Sequence, residues 1–103
     1  MQYVIAEAQT IRIRVVRDTI QEFIRDIADY LNETVISEVF EYLEDGSVGF
    51  AILDHGHITV DYLMTIGSVH IVIYYRAPFE IKELSERINL YFIPKKIYYR
   101  GVK

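Results

Sequence analysis

Residues 46–77 constrain the fold most, because they contain three consecutive segments whose side chains alternate with a period of two residues. Successive side chains of a β-strand point to opposite faces, so each segment predicts a strand. The residues Asp54, His55 and Gly56 form a turn signal between the first two segments. The sequence therefore predicts an antiparallel meander with one apolar face and one mixed face that carries ionisable side chains.

The alternation assigns individual residues to the two faces of this meander. The apolar face is predicted to carry Ile58, Val60, Tyr62, Val69, Ile71, Ile73 and Tyr75. The mixed face is predicted to carry Ala51, Leu53, His57, Thr59, Asp61, Ser68, His70, Val72, Tyr74 and Arg76. A mixed face with this much apolar surface is expected to be covered by something other than water.

The chain before the meander predicts a strand and a helix. Residues 3–8 favour a first strand, and residues 11–15 alternate apolar with basic residues as a half-exposed extension whose two arginines point to water. Asp18 and Gln21 have the spacing of a capping box. The apolar residues that follow recur at helical spacing, which predicts a helix that ends near Asn32.

Further elements flank the meander on both sides. Residues 34–43 are rich in β-branched and aromatic residues, and the turn signal at residues 44–46 predicts a hairpin with the next strand. Pro78 suits the first turn of a second helix, and Pro94 marks its end. Residues 97–100 predict a closing strand.

This order of elements predicts the fold class. A strand, a helix, a meander, a helix and a strand indicate an α+β two-layer sandwich, with both helices on one face of a mainly antiparallel sheet. A chain of 103 residues with 51% hydrophobic content predicts one domain spanning residues 1–103. The helices would leave the mixed face bare. A second copy of the chain would cover that face most economically, since two-fold dimers are the commonest closed assemblies.

Composition excludes several classes of function. A net charge of −4 argues against a nucleic-acid backbone as the main partner, although it is compatible with a local basic patch. The absence of cysteine excludes disulfides, a thiolate nucleophile and cysteine-ligated zinc. No apolar run suits a signal peptide or a membrane span. The expectation is a cytoplasmic protein without a membrane or nucleic-acid partner.

Short motifs spread along the chain carry a family resemblance. They comprise Val4-Ile5-Ala6-Glu7, Gly49, His57-Ile58-Thr59-Val60, Gly67, Ile71, Ala77 and Arg100-Gly101. In this pattern the chain resembles the short bacterial and archaeal type of S-adenosylmethionine decarboxylase, the pyruvoyl enzyme of spermidine synthesis. The resemblance spans the whole chain and implies a two-layer protomer that dimerises through its sheets.

The family's reactive residues are replaced in this chain. By the resemblance, the serine that becomes the pyruvoyl group falls on Gly56 and the glutamate before it on His55. The processing serine falls on Val48, the catalytic histidine on Asp61 and the catalytic cysteine on Arg76. Glycine has no β-carbon to carry a hydroxyl or a leaving group, so no pyruvoyl cofactor can form at Gly56. The resemblance thus implies a homologue without the family's decarboxylase activity.

Two classes of function follow. The leading hypothesis is a non-catalytic relative that acts as a homodimer, or as the regulatory partner of an active paralogue, and binds an adenosyl or polyamine ligand. The residues implied to bind that ligand are His55, His57, Asp61, His70 and Arg76. The alternative is an enzyme with repurposed chemistry at the three histidines and Asp61, or an authentic decarboxylase in another register.

Structural roles compete with these chemical ones. His55, His57, Asp61 and His70 are ligand types for a divalent metal, but histidines near a turn are usually solvated or hydrogen-bonded, so no metal site is predicted. For Asp61 and Arg76, a structural ion pair across neighbouring strands is favoured over a catalytic acid with an electrostatic partner.

The end of the chain carries a basic aromatic strip. It comprises Lys95, Lys96, Tyr98, Tyr99 and Arg100. Such a strip resembles surfaces that stack on single-stranded nucleic acid. The favoured interpretation is a solvated edge strand, whose basic residues also block unwanted strand pairing.

Overall fold

Six antiparallel strands and two helices form two layers in the computed structural model, which describes residues 2–102 and the side chains of residues 2–101. The elements are β1 (Gln2–Gln9), α1 (Arg17–Tyr30), β2 (Val35–Leu43), β3 (Gly46–Leu53), β4 (Gly56–Leu63), β5 (Ser68–Tyr75), α2 (Ile81–Phe92) and β6 (Lys96–Val102). The strand order is β2-β3-β4-β5-β1-β6. This architecture confirms the predicted α+β sandwich.

Both helices pack on one face of the sheet and form the core with it. The buried residues of the helices include Ile20, Phe23, Ile24, Ile27, Leu84, Ile88 and Phe92. They meet Ile58, Val60, Val69, Ile71 and Ile73 of the central strands, all fully buried. Each such side chain stabilises the fold by about 1.5–3 kcal/mol relative to an exposed one. The apolar face predicted for β4 and β5 is confirmed.

The predicted facing of β3 is wrong. Ala51 and Leu53 lie under the helices, with 0% and 2% of their surfaces exposed. Ala51 pairs with the buried Ile58, and directly paired residues share a face. The bare face of β3 carries Val48, Phe50 and Ile52 instead. Both sets of β3 side chains are apolar, so periodicity alone could not identify the inward one.

The helix starts also differ from the predictions. Helix α1 begins at Arg17, and Thr19 Oγ1 accepts a hydrogen bond from the backbone N–H of the cap residue Val16 at 3.2 Å, so Asp18 does not cap it. Helix α2 begins three residues after Pro78. Its end before Pro94 is confirmed: the cap residue Ile93 adopts a left-handed φ of 45°.

The loop between β1 and α1 is not the strand extension that was predicted. Thr10 has a left-handed φ of 57°, which breaks the strand after Gln9. The exposed Arg12 guanidinium does not point only to water. Its Nε and Nη2 donate to the backbone oxygens of Ile93 and Pro94, each at 3.1 Å. The loop is thereby fastened to the segment that leads into β6.

Candidate functional site

The strand register arranges the bare face of the sheet in transverse rows. The first row contains Ile52, His57, Tyr74 and Tyr3. The second contains Phe50, Thr59, Val72, Ile5 and Arg100. The third contains Val48, Asp61, His70, Glu7 and Tyr98. Apolar and aromatic side chains thus dominate the first two rows, and ionisable ones the third.

The five predicted ligand-binding residues do not converge on one pocket. Arg76 and His55 adjoin at one end of the sheet, where the Arg76 backbone N–H donates to the His55 oxygen at 3.2 Å. Asp61 pairs with His70 of β5, and His70 precedes Arg76 by six residues. At about 3.3 Å per residue, Asp61 and Arg76 are roughly 20 Å apart, so the predicted ion pair is wrong. Ligand binding by these residues stays a prediction.

His57 belongs to an aromatic stripe that crosses four strands. Its ring stacks on Tyr74 at 5.3 Å between centroids, and Tyr74 meets Tyr3 edge-on at 6.2 Å. Phe50 lies 6.0 Å away on the other side of His57. The Nδ1 atom of His57 is buried and has no hydrogen-bond partner among the described residues. The rings of the stripe thus pack against one another, and the stripe contains one buried polar atom without a partner among the described residues.

His55 is held by a residue that the sequence did not indicate. Glu33 Oε1 accepts from the backbone N–H of His55 at 2.7 Å, and Oε2 accepts from ring Nδ1 at 2.9 Å. The Glu33 side chain is 6% exposed, whereas His55 is 54% exposed. Burial by itself raises the pKa of Glu33. The hydrogen bonds from His55 and Tyr75 and the charge of His55 have the opposite effect, and together they lower this pKa below its ordinary value. This arrangement fits a structural clamp on the β3–β4 turn.

Gly56 approaches the backbone of β5 too closely for any side chain. A β-carbon at this position would lie 2.0 Å from the backbone oxygen of Tyr74 and 3.1 Å from the Cα of Tyr75. Because the obstacle is backbone, it cannot move aside by a change of rotamer. A residue other than glycine at position 56 therefore requires the backbone at the start of β4, or the part of β5 that faces it, to shift.

A cavity of about 500 Å³ opens on the bare face beside β5, β1 and β6. Its lining is Ile5, Glu7, Gln9, His70, Tyr98, Tyr99 and Arg100. Gln9 Nε2 donates a hydrogen bond to Glu7 Oε2. Of the predicted ligand residues, only His70 lines this cavity. Tyr98, Tyr99 and Arg100 belong to the basic aromatic strip identified in the sequence. The β1 residues of the lining, Ile5, Glu7 and Gln9, were missed because β1 meets β5 and β6 only through long-range pairing.

The described part of the chain, residues 2–102, shows no group of three histidine, aspartate or glutamate side chains close enough to hold a metal ion. Within the same residues, neither helix has the length and apolar character needed to cross a membrane.

Comparison with known proteins gives a likeness of fold. Neither protein-family models nor curated protein sequences yield a match to this chain. Among solved structures, the chain is similar to the crystal structure of the adenosylmethionine decarboxylase from Aquifex aeolicus VF5, with a TM-score of 0.80 and 21% sequence identity. The match covers 98% of this chain and 87% of that one. The chain therefore has the α+β fold of an adenosylmethionine decarboxylase.

Proposed function

We propose that this chain is a cytoplasmic relative of S-adenosylmethionine decarboxylase that does not process itself, carries no pyruvoyl group and acts as a dimeric regulatory or ligand-binding protein. The fold supports the relationship. The observation that carries the proposal is Gly56, which matches the family's pyruvoyl-forming serine in the sequence pattern. This residue lacks a β-carbon, and the β5 backbone leaves no room for one.

The chemistry of self-processing explains why the residue at position 56 determines whether a pyruvoyl group can form. A pyruvoyl group forms when a serine hydroxyl attacks the preceding carbonyl to give an ester. β-Elimination then releases the upstream chain as a carboxylate and leaves a dehydroalanine, which water hydrolyses to the ketone with loss of ammonia. Without a β-carbon, Gly56 supplies neither the nucleophile nor the leaving group. The other matching positions, Val48, Asp61 and Arg76, also lack the family's hydroxyl, imidazole and thiol.

The bare face supports the ligand-binding part of the proposal. The rings of its aromatic stripe are partly exposed and offer aromatic contacts for an adenosyl ring. Asp61 and Glu7 flank His70 in one row and provide carboxylates for a sulfonium or ammonium group. Such a ligand would bind noncovalently, because no pyruvoyl group is there to anchor it.

Intact mass spectrometry of the purified protein tests the proposal. We expect the mass of the uncleaved chain, no carbonyl reactive to hydrazine, and no carbon dioxide released from S-adenosylmethionine above a heat-killed control. Two fragments, or turnover above that control, would overturn it.

The Gly56→Ser variant sharpens the test. We expect it to remain uncleaved as well, because the β-carbon of the new serine would collide with the Tyr74 backbone oxygen and the serine could not take up a reactive position without a backbone shift. Efficient cleavage of the variant would show that the two strands separate readily and that only the missing hydroxyl prevents processing.

A further inference from the structure

A strip of cations runs along the edge strand β6 on the bare face. Lys96, Tyr98 and Arg100 face the same way, since they pair with Gln9, Glu7 and Ile5 of β1. Lys96 and Arg100 are four residues and therefore about 13 Å apart along the strand, which spans about two phosphate-to-phosphate steps of an extended single strand of nucleic acid. A basic, an aromatic and a basic side chain therefore follow one another at a spacing that suits this polymer.

The loop before α1 adds to this strip at its end. Arg12 binds the backbone oxygens of Ile93 and Pro94, and the Lys95 backbone N–H donates to the Gln9 oxygen at 2.9 Å. These contacts bring the Arg12 side chain to the start of β6, beside Lys95 and Lys96.

The cations of the strip lack acidic partners. Among the lysines and arginines whose side chains are described, only Arg25 and Arg87 form ion pairs with carboxylates, so Arg12, Lys95, Lys96 and Arg100 are unpaired like most of the other cations. The chain as a whole carries a net charge of −4, so the clustering of these four cations near β6 is a local feature. Local positive charge of this kind attracts phosphates, whatever the sign of the whole molecule.

The cavity beside the strip has the groups that a nucleobase needs. Tyr98 is 50% exposed, so its ring is available for stacking. Glu7, Gln9 and His70 line the same cavity and can accept or donate hydrogen bonds at a base edge. Its volume of about 500 Å³ lies within the range of small-ligand pockets.

We propose that β6 and the adjoining loop bind single-stranded nucleic acid, with phosphates on Lys96, Arg100 and Arg12 and one base in the cavity against Tyr98. This inference does not rest on the proposed function. The net charge led to the expectation that nucleic acid is not a partner. The proposal differs from it because positive side chains are concentrated in this strip of an otherwise acidic chain. Strand β1 separates β6 from the central strands, so the strip lies at the rim of the bare face.

Fluorescence polarisation with a labelled oligothymidylate tests binding by the full chain. We expect a dissociation constant between about 1 and 100 µM, and a log–log salt slope of about −2 for three phosphate contacts. An oligouridylate of equal length distinguishes RNA from DNA, and both single strands should bind more tightly than a duplex. Absence of binding at about 100 µM, or a preference for the duplex, would overturn the proposal.

Matched variants then assign the contacts. Tyr98→Ala should weaken binding by about tenfold, whereas Tyr98→Phe should retain it, because stacking needs the ring and not the hydroxyl. Lys96→Glu should weaken binding by about fivefold or more. The same charge change at Lys82, exposed on α2, should have less than about a twofold effect. Equal affinities for wild type, Tyr98→Ala and Lys96→Glu, with unchanged circular dichroism, would exclude the site.

Discussion

Glu33 fastens the β3–β4 turn although it lies outside both strands. Asn32, directly after the helix α1 cap, adopts a left-handed φ of 56°, and Glu33 follows it. The Glu33 carboxylate then accepts hydrogen bonds from the backbone N–H and from the ring Nδ1 of His55. His55 was predicted as a turn residue and a ligand residue, but its partner is 22 positions away in the sequence, where no local pattern could reveal it.

The Glu33–His55 contact should make stability depend on pH. The pKa of Glu33 is lowered in the folded state, so its charged form stabilises the fold above the ordinary value of 4.5, and this contribution is lost as the pH falls through the folded pKa. We expect Glu33→Gln to lower the free energy of unfolding by about 1–2 kcal/mol at neutral pH, and by less near pH 3.

Urea unfolding at the two pH values measures this difference, with the exposed turn residue Glu44 changed to Gln as the control. A deficit in Glu33→Gln that is equally large at both pH values would mean that the carboxylate charge is not what stabilises the turn.

Strand β3 and helix α1 meet at a glycine. A β-carbon at Gly49 would lie 2.6 Å from Ile20 Cγ2 and 3.0 Å from Ile24 Cδ1, so the helix packs directly on the strand backbone. The predicted family motif contains Gly49, but its packing role depends on a contact between distant segments. The glycine lets α1 cover the inward face of β3.

Adding a methyl group at this contact should cost stability. We expect Gly49→Ala to lower the free energy of unfolding by about 1–3 kcal/mol, because the Ile20 side chain must shift in a packed core. Gly101→Ala is the matched control, since nothing lies within 4 Å of a β-carbon there. Equal midpoints of thermal unfolding for the two variants would show that α1 accommodates the methyl group without a loss of stability.

The limits of prediction are physical and differ between the elements. The faces of β4 and β5 were predictable because alternation there contrasts apolar with polar residues. On β3 the inward face became clear only through its pairing with β4. The cavity was not predictable at all, because β1 lies between β5 and β6, and both contacts join distant parts of the chain.

At the scale of the whole molecule, the two faces of the sheet differ in whether other elements pack on them. The helices cover one face. The other exposes a surface of Phe50, Ile52 and Val72 among polar groups, part of it aromatic. Such a surface favours association, and the proposed dimer would join copies through Thr59, Asp61, Val72 and Tyr74 with the helices outside.

Light scattering at micromolar concentration tests this dimer. We expect a dimer mass for the wild type and a monomer for Val72→Asp, because the new carboxylate would be buried without a partner in the interface. Leu90→Asp changes a residue that is 70% exposed on α2 and should leave the dimer intact. A monomeric wild type, or a dimer that only Leu90→Asp disrupts, would contradict the assignment of this face.

The close approach at Gly56 bears on how this chain can evolve. Any side chain at position 56 would bring its β-carbon against the Tyr74 backbone oxygen, so a substitution there is tolerated only together with a backbone shift. Position 56 is therefore expected to accept fewer residue types than its exposed turn neighbours Asp54 and His55.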